Sequence, residues 1–262
     1  MKVGTCKLTL QKGKFVKAHI IPKAFTYPEE SGLPFTQGGS GRKPVKRWSS
    51  WYDPRLVTEE GERILRDLDT WAIHYLRSRR LVWSGWGAML EVPVQKFVVD
   101  GWGIRRVDVP DPAQLRLFLL SLLWRAAATD MFEFGEVTMP PDHLERLRRA
   151  VLGETHEGEA FYPATLTQLS TMGIIHNHGA IAQSKTIPAY GQEPSRSVPI
   201  FRFYFDGLVV HFHRQAEDNG YTKELGSHVA GQENELVLST VTFERSFQFE
   251  NLMWVMAETD YS

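Results

Sequence analysis

The sequence predicts an α+β protein, and three observations carry that expectation. A strand-like start, Lys7–Leu10 and then Phe15–Ile21 across a Lys12-Gly13 turn, gives way to amphipathic and apolar helical patterns in the middle of the chain. An Asp206-Gly207 pair then joins two apolar runs, the strongest short-range signal for a β-hairpin.

The elements follow in order. Pro22, which cannot donate to a ladder, closes the first hairpin. Residues 26–47, rich in Gly, Pro, Ser and basic side chains, read as a long loop, ordered only by a ligand. A helix is predicted from Glu59 to Arg79. Thr58 is its expected N-cap, Glu59, Glu60 and Glu62 favour its positive end, and Ile64, Leu65, Leu68, Trp71, Ala72 and Tyr75 form one apolar face. Two Gly-Trp-Gly turns, at 85–87 and 101–103, bracket a predicted strand over 89–99. Asp111-Pro112 opens a helix that runs through Trp124 and Arg125 and is apolar nearly all round, as expected of a central core helix. A third helix, Pro141 to Leu152, is basic on its outer face and stops at Gly153. Beyond it, Pro199–Phe205, Leu208–His213, Leu236–Phe243 and Phe247–Met256 read as strands. These elements divide into an N-terminal module of about 80 residues (1–80) and a larger mixed α+β domain (81–262).

Composition excludes several classes. With 262 residues, 42% hydrophobic and 23% charged, the chain is neither collagen-like nor low in complexity. The single cysteine, Cys6, rules out an intramolecular disulfide and any zinc site built from cysteine pairs, and it fits a reducing, cytoplasmic setting. Lysines interrupt any apolar leader, and the most apolar stretch, Leu115 to Trp124, is too short for the about 20 residues of a bilayer span, so no membrane association is expected. No phosphate-loop, nucleophile-elbow or dinucleotide fingerprint occurs.

The net charge of −1 conceals an asymmetry. Residues 1–50 hold ten Lys and Arg against Glu29 and Glu30, a net +8, whereas residues 217–262 hold nine acids against Lys223 and Arg245, a net −7. A basic front suits a polyanion such as DNA, and the acidic, strand-rich back suits a protein partner or a regulatory role.

Chemistry concentrates in the basic half. Ala18-His19-Ile20-Ile21-Pro22 ends a hairpin strand, Asp53-Pro54 precedes a short extended segment, and Glu59, Glu60 and Glu62 open the helix. An imidazole that accepts a proton near neutrality and carboxylates that hold a hard cation are the parts of a hydrolytic site. Elsewhere, His176-Asn177-His178 reads as a turn, and His211 and His213 share one strand face without a third ligand.

This order of hairpin, His-x-x-Pro, loop, short strand and acidic helix resembles the HNH endonucleases of the ββα-metal fold. The likeness is to bacterial and phage members with a Cys-x-x-Cys before a Ser-His-Ile-Ile-Pro segment and a Cys-x-x-Cys-Glu at the helix start. Here Cys6-Lys7-Leu8-Thr9 and Thr58-Glu59-Glu60-Gly61-Glu62 stand at those places. The resemblance covers about residues 1–80. It implies a metal-dependent endonuclease hydrolysing DNA, in phage defence or restriction, with His19 as general base, and Asp53 and Glu62 as ligands of a weakly held Mg²⁺ or Mn²⁺. Lys17, Lys23, Arg42, Lys43, Lys46 and Arg47 would then contact phosphates. Thr9, Thr58 and Gly61 replace three zinc cysteines, so a structural zinc is not expected, and Ala18 stands where many relatives carry an acid. The alternatives are a catalytically inactive nucleic-acid-binding or scaffold protein, and an interaction subunit whose basic loop binds an acidic protein.

Overall fold

The computed structural model describes residues 2–26, 35–39, 42–99, 101–187, 194–214 and 221–260, with the side chains of 35, 36, 39, 42–44, 96–99, 254–256 and 258–260 outside the description. The fold is mixed α+β, centred on one nine-stranded sheet.

The chain opens with a small hairpin, β1 (Val3–Thr5) against β2 (Lys12–Lys14), which corrects the expectation: residues 6–11, including the expected strand Lys7–Leu10, connect the two strands, and Lys12-Gly13 lies within β2 instead of forming the turn. Residues 15–21 do not return on this hairpin. Instead β3 (Ala18–His19) pairs antiparallel with β6 (Tyr52–Asp53), and α1 (Glu59–Ser78) follows. The helix lies where its apolar spacing placed it, burying Leu65, Leu68, Ala72, Tyr75 and Leu76. Thr58 has the extended backbone of an N-cap, but its side chain makes no capping hydrogen bond.

The expectation of a long loop over 26–47 is corrected. Within it, β4 (Phe35–Gly39) and β5 (Arg42–Arg47) form a hairpin that joins the edge of the large sheet. The edge is where a proline such as Pro44 and a run of cations are tolerated, because one side of the strand needs no partner.

Seven further strands complete the sheet: β7 (Lys96–Val99), β8 (Trp102–Asp108), β9 (Ala164–Leu169), β10 (Asn177–Ile187), β11 (Arg196–Phe205), β12 (Leu208–His213) and β13 (Glu235–Val241). Their order is β5-β4-β10-β11-β12-β9-β13-β8-β7, antiparallel except for the β4–β10 and β9–β13 pairs. Asp206 and Gly207 both have positive φ at the tight β11–β12 turn, as the Asp-Gly signal requires.

Two helices, α2 (Pro112–Ala128) and α3 (Pro141–Val151), lie where the sequence predicted them. Asp111 caps α2 by accepting from Gln114 N–H at 2.9 Å. One sheet face, carrying Phe201, Phe203, Phe205 and Phe212, shares a continuous core with α1, α2 and α3. That core takes residues from both 1–80 and 81–262, so packing does not break at residue 80. The opposite face buries Tyr204 and Val209 against Trp83, Trp86 and Phe243. Two strand expectations change: only 96–99 of the stretch 89–99 is extended, and, after a short helix α4 (Tyr221–Leu225), residues 247–260 form a helix, α5 (Phe247–Asp260), instead of a strand. Among the described residues no helix is long and apolar enough to cross a membrane.

Candidate functional site

His19 sits on the short β3–β6 ribbon. Its register pairs His19 with Tyr52 and Ala18 with Asp53. Side chains alternate across a strand, so His19 and Tyr52 share one face and Asp53 points to the other. The His19 ring meets Tyr52 edge-on, with centroids 6.3 Å apart, and the Lys17 ammonium lies 4.6 Å from the Tyr52 ring centre. The ring has no hydrogen-bond partner among the described residues and is half-buried. Burial, followed by the nearby charge of Lys23, lowers the imidazole pKa, against the opposing pull of Asp69. The imidazole is therefore neutral at neutral pH, the form that accepts a proton.

Asp53 does not join His19. Its Oδ1 accepts from the Arg55 N–H at 2.8 Å, and its Oδ2 accepts from the Thr129 hydroxyl at 2.7 Å. Both oxygens of this buried carboxylate thus shape the turn before Pro54 and tie it to the end of α2. Period-two alternation and these bonds turn it away from a cation shared with His19.

Glu62 does stand near His19's surroundings. Half-buried in the first turns of α1, its carboxyl is pushed up to about 7, chiefly by burial, and Arg125 and Asp69 both act on it. Those two residues were not identified from the sequence, and they organise the site. Arg125, 1% exposed, donates to Asp69 Oδ2 at 3.0 Å and Oδ1 at 2.7 Å, and its Nη1 also donates to the His19 carbonyl at 3.1 Å. One guanidinium therefore ties α1, α2 and β3 together. Asp69 lies seven residues, two helical turns, beyond Glu62, and Arg125, like Arg116, is a charge buried in a largely apolar helix. Both were signals that could have been read.

The four positions compared with zinc cysteines also converge. Cys6 Sγ accepts from Thr9 N–H at 3.4 Å, and a Cβ built on Gly61 would lie 2.8 Å from that sulfur. Burial works to raise the Cys6 thiol pKa, but hydrogen bonds from Thr9, Thr58 and Leu8 outweigh it and lower the pKa.

Four of the six cationic candidates have described side chains. Lys17, Lys23, Lys46 and Arg47 are exposed, and Arg47 reaches Glu133 at 3.5 Å. The side chains of Arg42 and Lys43 lie outside the described residues. A cavity of about 240 Å³, lined by Gln37, Arg47, Ser50, Trp51, Tyr52 and Glu133, connects the β5 edge with the ribbon. Among the described residues, no group of three or more His, Cys, Asp or Glu is arranged to hold a metal ion. Asp53 and Asp69 are already committed to Thr129 and Arg125, which leaves Glu62 alone, so these side chains do not fit a protein-built Mg²⁺ or Mn²⁺ centre.

His176 and His178 lie at the start of β10, with His176 buried and stacked on Tyr204. His213 is satisfied by Thr165 and Tyr221. No protein family, curated protein or solved structure matches this chain.

Proposed function

We propose that this protein is an HNH-like endonuclease that hydrolyses DNA phosphodiester bonds. One observation carries the reading: a neutral His19 imidazole without a hydrogen-bond partner among the described residues and a half-buried Glu62, its carboxyl pushed up to about 7, both feel the charges of the Asp69–Arg125 pair. Environments that push two titratable groups in opposite directions define a base and an acid. His19 takes a proton from water as its oxygen bonds to phosphorus. The bond to the leaving oxygen breaks, and Glu62 supplies the proton that oxygen requires. No step is assigned to a divalent cation. Exposed Lys17, Lys23, Lys46 and Arg47, with the exposed Trp48 as a stacking surface, support contact with a phosphate backbone.

A second reading, a nucleic-acid-binding protein that does not cleave, is favoured by the commitment of both Asp53 oxygens to structural bonds. Plasmid cleavage by wild type, His19→Ala and Glu62→Gln, with Mg²⁺, Mn²⁺ or a chelator, separates the two. The nuclease reading expects loss of at least a hundredfold in His19→Ala, in line with general base catalysis worth about 10²–10⁴. Equal cleavage by wild type and His19→Ala removes the base assignment. Retained DNA binding with no cleavage under any condition favours the second reading.

A further inference from the structure

The sheet face turned away from His19 carries charges of a different kind. Arg202 on β11 stands directly opposite His211 on β12 and Ile181 on β10. Lys185 on β10 pairs with Val198, four residues before Arg202 and so on the same face. His211, Arg202 and Lys185 act on one another electrostatically, and Arg202 also acts on His178.

None of these cations has an ion pair or hydrogen bond among the described residues, and only Glu250 exerts an opposing charge on Arg202. The Arg202 guanidinium lies 4.2 Å from the centre of the Phe247 ring, where α5 closes one side. Its Nε and both His211 nitrogens are shielded from water without partners. His213, two residues along, has both its nitrogens bonded, so this strand can satisfy a histidine. Other buried arginines here do make bonds: Arg125 to Asp69, Arg148 to Glu145 and the Leu8 carbonyl, and Arg116 to the Tyr162 carbonyl, although its Nε, like that of Arg202, has no partner.

Uncompensated charge taken from water is costly, and unpaired buried donors add to that cost. A fold that keeps two cations and an unbonded histidine together needs an anion there. Arg202, Lys185 and His211 are each only partly buried. We propose that this face binds the terminal phosphate of a small molecule, whose two negative charges match Arg202 and Lys185 and whose oxygens accept from the Arg202 guanidinium. A phosphate monoester fits better than a phosphodiester, which carries one charge. This site is independent of the His19 reading.

The test is thermal unfolding and titration calorimetry of the full chain with inorganic phosphate, with a nucleoside 5′-monophosphate, and with sodium chloride at matched ionic strength. The expected result is stabilisation by one or both phosphate compounds and none by chloride. A response to the nucleotide alone identifies the source as a nucleotide, and an equal response to both identifies free phosphate. Arg202→Met removes the charge together with the guanidinium contact to Phe247 while keeping an unbranched chain, and Lys185→Met is the companion change on the neighbouring strand. Each should weaken phosphate binding at least tenfold, and Lys185→Met, which removes an unpaired charge, should not lower the melting temperature of the ligand-free protein. The His19→Ala protein should respond like wild type. A response equal to that of chloride overturns the proposal. So does phosphate binding unchanged in both variants, a ligand-free melting temperature lowered by Lys185→Met, or stabilisation by unphosphorylated duplex DNA but by neither small molecule.

Discussion

Gly61 lies so close to Cys6 that a methyl group added to it would stand 2.8 Å from the Cys6 sulfur and 2.9 Å from the Val57 Cβ. Contact of this kind explains why a helix rich in good helix formers keeps a glycine in its first turn. Ala normally stabilises a helix interior relative to Gly by about 1 kcal/mol. Here crowding outweighs that gain, since overpacking a filled site costs about 1–3 kcal/mol. Gly61→Ala is expected to lower stability in urea unfolding, and adding Cys6→Ala should return part of the loss. A neutral Gly61→Ala would mean that the β1–β2 turn yields freely.

The Asp69–Arg125 pair should behave as a buried unit. Removing one partner leaves an uncompensated charge and costs about 3–5 kcal/mol. Asp69→Asn and Arg125→Met are each expected to be strongly destabilising, and the double variant much less so than their sum. A double-mutant cycle measures the difference, and additive losses would show that the pair is not coupled.

Glu62 makes stability fall with rising pH. Its carboxyl ionises near 4.5 when unfolded and at about 7 when folded. Between those values the unfolded chain loses its proton first, so the stabilisation present below about pH 4.5 disappears as pH rises through 7. Discounted for partial exposure, the effect is of order 1–2 kcal/mol. Glu62→Gln should match wild type near pH 4.5 and exceed it by that amount at pH 8, read from unfolding curves at both pH values.

His176 acts in the opposite direction. Burial lowers its pKa to about 4, even though Nδ1 stands 2.8 Å from the Ile174 carbonyl. As pH falls below about 6.5 the unfolded state takes up a proton that the folded state refuses, costing up to about 1.4 kcal/mol per pH unit. The loss continues until about pH 4. His176→Phe, which keeps a ring on Tyr204, should therefore gain on wild type as pH drops from 7 to 4.5. A constant difference across that range would show that His176 is protonated equally in both states.

The sequence made some of this legible and hid the rest for physical reasons. Periodic Leu65, Leu68 and Ala72 announced α1, and Asp206-Gly207 announced its hairpin, because local chemistry decides both. Phe247–Met256 is largely apolar, alternating at its start (Phe247, Gln248, Phe249, Glu250) and continuous from Leu252, which suits a strand or a buried helix equally, and tertiary packing chose the helix. The glycines and lysines of β4 and β5 resemble a loop until β10 supplies a partner. His19 and Glu62 stood out by residue type. Asp53 did too, but the register that turns it from His19 depends on a pairing across 34 residues, which no local pattern records.

The bond from Arg125 to the His19 carbonyl spans 106 positions of the chain. A chain emerging from the ribosome presents its basic N-terminal segment long before α2 exists to hold His19 in place. Assembly of this site is therefore tied to the order of synthesis: the imidazole cannot acquire its folded surroundings until the central helix has formed and docked. On the proposed nuclease reading, that delay would keep nascent and truncated chains from cutting DNA before the site is complete.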